Sequence, residues 1–119
     1  MKGSSRRPEQ VGETLRQVIA DALNREVRDP RVGFVTVTAV LVTNDLSHAR
    51  VMVGVSGEEA DKTRALEGLQ SAAGFLRSRA ARALTTRSVP ELHFELDRGL
   101  EHAARISELL NDIRREGQD

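Results

Sequence analysis

The chain has 119 residues, 39% hydrophobic and 30% charged, and its 18 basic and 18 acidic residues give a formal net charge of zero. This is the length and apolar content of one domain with a single core, which excludes a disordered chain. No apolar run reaches the roughly 18–20 residues of a membrane helix and no signal-peptide core opens the chain, so a cytoplasmic protein without a membrane partner is expected. The absence of Cys excludes disulfides, thiolate metal sites and a Cys nucleophile.

Residues 1–7 contain no large apolar side chain past Met1 and are expected to form a flexible basic arm. Pro8 and Glu9 suit a first helical turn. Val11, Leu15, Val18 and Ala22 then recur at helical spacing, widened by Ile19 and Leu23. Asp29-Pro30 is expected to stop this helix, because the residue before Pro avoids helical angles. Residues 34–42 are β-branched and almost wholly apolar. They predict a strand covered on both faces, or a central strand with Thr36 and Thr38 on its thinner side. Asn44-Asp45 signals a turn. Ala49, Val51, Val53 and Val55 alternate with Arg50, Met52 and Gly54, which predicts a second strand and an antiparallel hairpin.

Ser56-Gly57-Glu58-Glu59 fits a capping box with Ser56 as N-cap and Glu59 at N3. Beyond it Leu66, Leu69, Ala73, Leu76, Ala80 and Leu84 keep a spacing of three or four residues straight through Gly74. An unbroken helix would place Phe75 nearly opposite this stripe, beside Arg79 and Arg82, and Arg77 on it. Gly inside a helix also costs about 1 kcal/mol against Ala. Two helices meeting at Ala72-Ala73-Gly74 are therefore expected. Phe75 would be core, or else a stacking group beside Arg79. Leu92, Phe94 and Leu96 alternate with His93, Glu95 and Asp97 after Pro90, predicting a third strand with one solvated face. Leu100, Ala103, Ile106, Leu109, Leu110 and Ile113 predict a C-terminal amphipathic helix. The organisation expected is a basic arm over 1–7, a domain over 8–98, and a C-terminal helix with a short tail over 99–119.

Zero net charge hides an asymmetry. Between Ser71 and Pro90 lie Arg77, Arg79, Arg82 and Arg87, and no acid. Arginine forks suit phosphate, and contacts to phosphate or to RNA shape do not require stacked aromatics. Trp and Tyr are absent and Phe occurs only three times, which disfavours modules that stack bases on an aromatic sheet. A coding bias toward Arg would explain the excess of Arg over Lys but not the acid-free window. Arg77 has a rival role, pairing with Asp29 or Asp97. Arg28, Arg31 and Arg98 are expected to be solvated surface charges. Gly54-Val55-Ser56-Gly57 matches Gly-x-x-Gly but lies at a strand end, not between helices. His48, His93 and His102 are scattered without paired spacing, so no metal site is expected. No phosphate loop is present and nothing argues for catalysis or a cofactor.

The order α-β-β-α-α-β is that of the type II K-homology (KH) domain. Four segments carry a closer likeness: Asp29-Pro30-Arg31-Val32-Gly33-Phe34, Asn44-Asp45-Leu46-Ser47-His48-Ala49, Ala72-Ala73-Gly74-Phe75-Leu76-Arg77 and Arg87-Ser88-Val89-Pro90-Glu91-Leu92. In this order, across roughly residues 6–113, they resemble the bacterial ribosome-binding factor A family. The resemblance implies an α+β, type II KH fold with a three-stranded sheet, helices on one face and an added C-terminal helix. It implies an Ala-x-Gly kink at Ala72, Ala73 and Gly74. It implies a monomeric, non-enzymatic factor that binds the free 30S ribosomal subunit late in assembly. There it would support 16S rRNA processing near the 5′-terminal helix and growth in the cold. An assembly GTPase would promote its release. The candidate RNA-binding residues are Ala72, Ala73, Gly74, Arg77, Arg79, Arg82 and Arg87, with Arg6 and Arg7 on the arm. The alternative is a protein-interaction module whose RNA contact is incidental, motivated by the zero net charge; a small hydrolase is a weaker third reading.

Overall fold

Helix α1 (Pro8–Arg25) starts where Pro8 takes a position that needs no amide hydrogen and Glu9 meets the positive end of the helix dipole. Its apolar stripe of Val11, Leu15, Ile19, Ala22 and Leu23 is buried. Glu13 and Arg16 pair on the outer face, with Nη2 to Oε2 at 2.6 Å. The computed structural model describes residues 7–84, 89–99 and 107–114. The helix closes at Glu26, earlier than the sequence suggests. Asp29-Pro30 instead opens a separate 3-10 turn, Pro30–Val32, in which Asp29 accepts from the Arg31 amide at 2.9 Å. The Arg31 guanidinium also binds this carboxylate and holds it at a pKa of about 2, well below its usual 3.8.

Strands β1 (Val35–Val42) and β2 (His48–Val55) form the expected antiparallel hairpin. Its turn is fixed by Asp45. Oδ1 accepts from the Thr43 hydroxyl at 2.8 Å, the Ser47 hydroxyl at 2.7 Å and the Ser47 amide at 3.1 Å. Leu46 sits at φ 62°, a costly angle for Leu that this turn imposes. The same hydrogen bonds lower the Asp45 pKa from 3.8 to about 2. Ionised Asp45 therefore stabilises the fold fully above pH about 4, and that contribution fades as pH falls toward about 2. Thermal unfolding followed from pH 7 to pH 2.5 should show Asp45→Asn less stable than the parent at neutral pH. The gap should narrow in acid; a gap independent of pH would contradict the assignment.

Helix α2 (Glu59–Ala83) leads into β3 (Glu91–Leu96), which pairs parallel to β2. The sheet order is β1-β2-β3. Strand β1 is thus an edge, not the central or doubly covered strand its apolar run suggests. A bulge between Val37 and Ala39 explains the run, since it resets the alternation of faces. The capping box lies two residues beyond the expected one. Glu58 is the N-cap, and Asp61 at N3 accepts from the Glu58 amide at 2.9 Å. Gly57, at φ 117°, makes the turn that releases Glu58 into this position. Gly54-x-x-Gly57 is a strand end and a turn, as its position in the sequence indicates.

One core joins Val11, Leu15 and Ile19 of α1, Leu69, Leu76 and Ala80 of α2, and Val37, Ala49, Val51, Val53 and Phe94 of the sheet. Both helices cover this face, and the α+β architecture matches the expectation. The outer face carries Thr36, His48, Arg50 and His93, all exposed. Residues 107–114 are helical, and Leu109, Leu110 and Ile113 are exposed. The rest of the expected C-terminal helix lies outside the described residues. No helix among the described residues is long and apolar enough to cross a membrane.

Candidate nucleic-acid interface

The expected break at Ala72-Ala73-Gly74 is absent: α2 is a single helix of 25 residues. Its periodic stripe continues because both objections to it resolve in place. Phe75 does lie outside the core, 40% exposed, with the Arg79 guanidinium 5.0 Å above its ring. This is the stacking position and not the core position, and it covers an otherwise wet aromatic face. Arg77 sits at the margin of the stripe, where it donates through Nη2 to the Val89 carbonyl at 2.9 Å. It pairs with neither Asp29 nor Asp97. Asp29 is bound by Arg31, and Asp97 accepts from the Thr38 hydroxyl at 2.6 Å and the Gly99 amide at 2.9 Å.

An unbroken helix has no start at residue 74. The unpaired amides and positive dipole end that a kink would offer to phosphate are not there. A different surface takes their place. At about 100° per residue, Ser71, Gly74 and Ser78 fall on one side of α2, away from the Leu69–Leu76–Ala80 stripe. All three are exposed, as is Ala81. Arg77 lies on one flank of this strip of small residues and Arg82 on the other. Ala72 and Ala73 are half-buried and pack toward the core, so they support the surface without forming it. A Cβ placed on Gly74 would meet nothing within 4 Å, which leaves that point open to close approach.

The three arginines differ in freedom. Arg79 is the most committed: its Nε donates to Glu26 Oε2 at 2.5 Å and ties α2 to the end of α1. Arg82 is exposed and makes no ion pair among the described residues. A shallow groove of about 280 Å³ separates the helices here, lined by Val18, Asp21, Glu26, Arg79 and Arg82. Asp21 is paired with Arg25 at 2.9 Å, and Glu26 with Arg79, so the acids at the groove are already neutralised. Arg7 is exposed at the start of α1. Arg6 and Arg87 lie outside the described residues. The strip of small residues was missed in the sequence, although Ser71, Gly74 and Ser78 at intervals of three and four were its signal. Arg31 is not simply solvated, being bound to Asp29, and Arg98 donates to Glu59 at 2.9 Å.

These features define a small α+β domain with two helices on one face of a mixed three-stranded sheet and an arginine-flanked helix surface. The family profile described as ribosome-binding factor A matches residues 7–110. Ribosome-binding factor A of Thermomicrobium roseum is 50% identical over 114 residues, covering 96% of this chain and 88% of its own. That of Rhodopirellula baltica is 49% identical over 113 residues, covering 95% and 82%. The crystal structure of ribosome-binding factor A from Thermus thermophilus superposes with a TM-score of 0.68 at 29% identity, covering 77% of this chain and 97% of that one. Coordinates of the Thermus thermophilus factor fitted into a cryo-EM map of a 30S complex give a TM-score of 0.59 at 31% identity, covering 72% and 90%. The chain belongs to the ribosome-binding factor A family.

Proposed function

We propose that this chain binds the free 30S ribosomal subunit as a monomeric cytoplasmic factor and assists late maturation and 16S rRNA processing, near the 5′-terminal helix. The observation that carries the reading is the 31%-identical relative fitted into a 30S complex, 90% of which this chain covers. On this reading the described domain works as a KH-like module within the 8–98 unit, flanked by the 1–7 arm and the 99–119 segment. The protein acts by binding and not by catalysis, supports growth in the cold, and leaves the subunit with the help of an assembly GTPase. The RNA contact is the face of α2 over Ser71, Gly74 and Ser78, with Arg77 and Arg82 reaching phosphates on either side and Arg79 held back by Glu26. Arg6, Arg7 and Arg87 add charge to the same partner.

Pelleting with purified subunits tests this. The chain should co-sediment with free 30S and not with 50S subunits. The two arginine–phosphate contacts on α2 alone would weaken binding about 12-fold between 50 and 200 mM salt. Absence of co-sedimentation at low salt would refute the reading. Salt-insensitive binding would favour the alternative, a protein-interaction module with its partner at the sheet edge near Pro90 or on the C-terminal helix, where Leu109, Leu110 and Ile113 are exposed.

Gly74→Ala separates binding from stability. The new methyl group meets open space inside a helix, so stability should rise by about 1 kcal/mol and the melting temperature by about 4 °C. If an RNA backbone lies against Gly74, the same variant should bind 30S subunits more weakly. A stabilised variant with unchanged affinity would move the contact away from residue 74.

A further inference from the structure

The outer face of the sheet carries a group of residues outside the RNA contact proposed for α2. Parallel pairing of β2 with β3 sets His48 opposite Glu91, and His93 two residues further along β3 faces the same side. His48 Nδ1 and His93 Nε2 are 3.0 Å apart, and the ring centroids 5.1 Å. Glu91 Oε2 lies 3.7 Å from His48 Nδ1. One ligand atom from each residue falls within 4.8 Å of the other two.

We propose that His48, Glu91 and His93 form a binding site for a divalent transition metal of the zinc type. Zinc–nitrogen bonds of about 2.0–2.1 Å in tetrahedral geometry place two ligand nitrogens roughly 3.3–3.4 Å apart. The separations of 3.0 and 3.7 Å lie on either side of that value; the shorter is a hydrogen bond between the two rings, and a bound metal would replace it and displace its proton. Two imidazoles and one carboxylate are a ligand set suited to zinc, with a fourth position open to water or an anion. Both rings are exposed, so the ring nitrogens that do not ligate can keep their protons and face solvent. Glu91, also exposed, needs only a rotation of its side chain to close on the metal. Arg50, opposite His93 in the ladder, is held by Glu95 through two bonds of 2.8 and 2.9 Å, so its charge is already met. The bound ion would join edge strand β3 to central strand β2 at the end of the sheet where β3 begins.

Calorimetric titration of the untagged chain with Zn²⁺ tests the site, and visible absorption with Co²⁺ tests its geometry. One metal per chain should bind with micromolar affinity, the cobalt complex should show the intense bands of four-coordination, and zinc should raise the melting temperature. Loss of an outer-shell partner alone costs about 10–100-fold in metal affinity, so His48→Ala and His93→Ala should each weaken binding at least tenfold. Glu91→Gln should weaken it less, and His102→Ala should leave it unchanged. His48, Glu91 and His93 are exposed, and circular dichroism should show each of their variants folded. No saturable binding at millimolar zinc, binding that survives both histidine substitutions, or one metal shared by two chains would each overturn the proposal.

Discussion

Gly12→Ala should be the most damaging single-methyl substitution in α1, lowering stability by about 3 kcal/mol. Gly12 is buried, and a Cβ built on it would lie 2.6 Å from the Val40 carbonyl oxygen of β1. The atom it would strike is backbone, held in the β1–β2 ladder by the pairing of Val40 with Val51, so it cannot rotate aside. The helix would have to lift off the sheet, and Val11 and Leu15, both at most 1% exposed on the same stripe, would lift with it. The helical preference of Ala over Gly, about 1 kcal/mol, opposes this loss and is too small to cancel it. The melting temperature should fall by about 10 °C. Urea unfolding of the parent, Gly12→Ala and Gly74→Ala gives a direct comparison. The same substitution in the interior of two helices should have opposite signs, because one site is filled by a carbonyl and the other is open. A loss below about 1 kcal/mol at Gly12 would mean that α1 and β1 do not pack so closely.

Helical spacing puts Gly12 on the apolar stripe of α1 and Gly74 off that of α2, but nothing in the sequence shows the carbonyl that fills the space at Gly12, and this shows where reading from sequence stops. The stripe from Val11 to Leu23, the hairpin and the alternation of β3 were legible because each is a local periodicity, set by which face of one element meets the core. Contacts between elements leave no such trace. The carbonyl that Gly12 makes room for is 28 positions away, and His48 and His93, 45 positions apart, meet only because β2 and β3 run parallel. Local signals can also mislead where two compete. Ser56–Glu59 and Glu58–Asp61 both satisfy a capping box, and the positive φ of Gly57 decides for the second. The bulge in β1 merges Val35, Val37, Val40 and Val42 into what looks like an uninterrupted apolar run, although all four side chains pack toward one face. At Gly74 the periodicity was right. A kink is needed only if Phe75 must be buried and Arg77 left unpartnered, but Arg79 covers the ring and the Val89 carbonyl receives the guanidinium. The arginine window was legible as composition; which arginines are free was not, because Glu26 sits 53 positions from Arg79.

That difference in freedom sets the largest functional effect. Arg77→Glu with Arg82→Glu should reduce affinity for free 30S subunits at least 100-fold. Each arginine–phosphate contact is a charge-assisted hydrogen bond worth about 1.5–3 kcal/mol, and about 1.4 kcal/mol is a factor of ten. Reversal adds repulsion from the phosphates. The dependence of log affinity on log salt should become shallower by about two units, one for each phosphate released. Arg82→Glu alone is the cleanest arm, since it breaks no ion pair among the described residues. It should cost about tenfold in affinity and leave the melting temperature unmoved. Arg79→Ala should behave in the opposite way. It removes the link to Glu26 and uncovers Phe75, so it should destabilise the fold while changing the salt slope little. A loss of binding with Arg79→Ala that matches the Arg82→Glu loss, in a fully folded variant, would place the RNA over the groove between α1 and α2. Undiminished binding by the double variant would remove α2 from the interface altogether, and leave the basic residues outside it to hold the subunit.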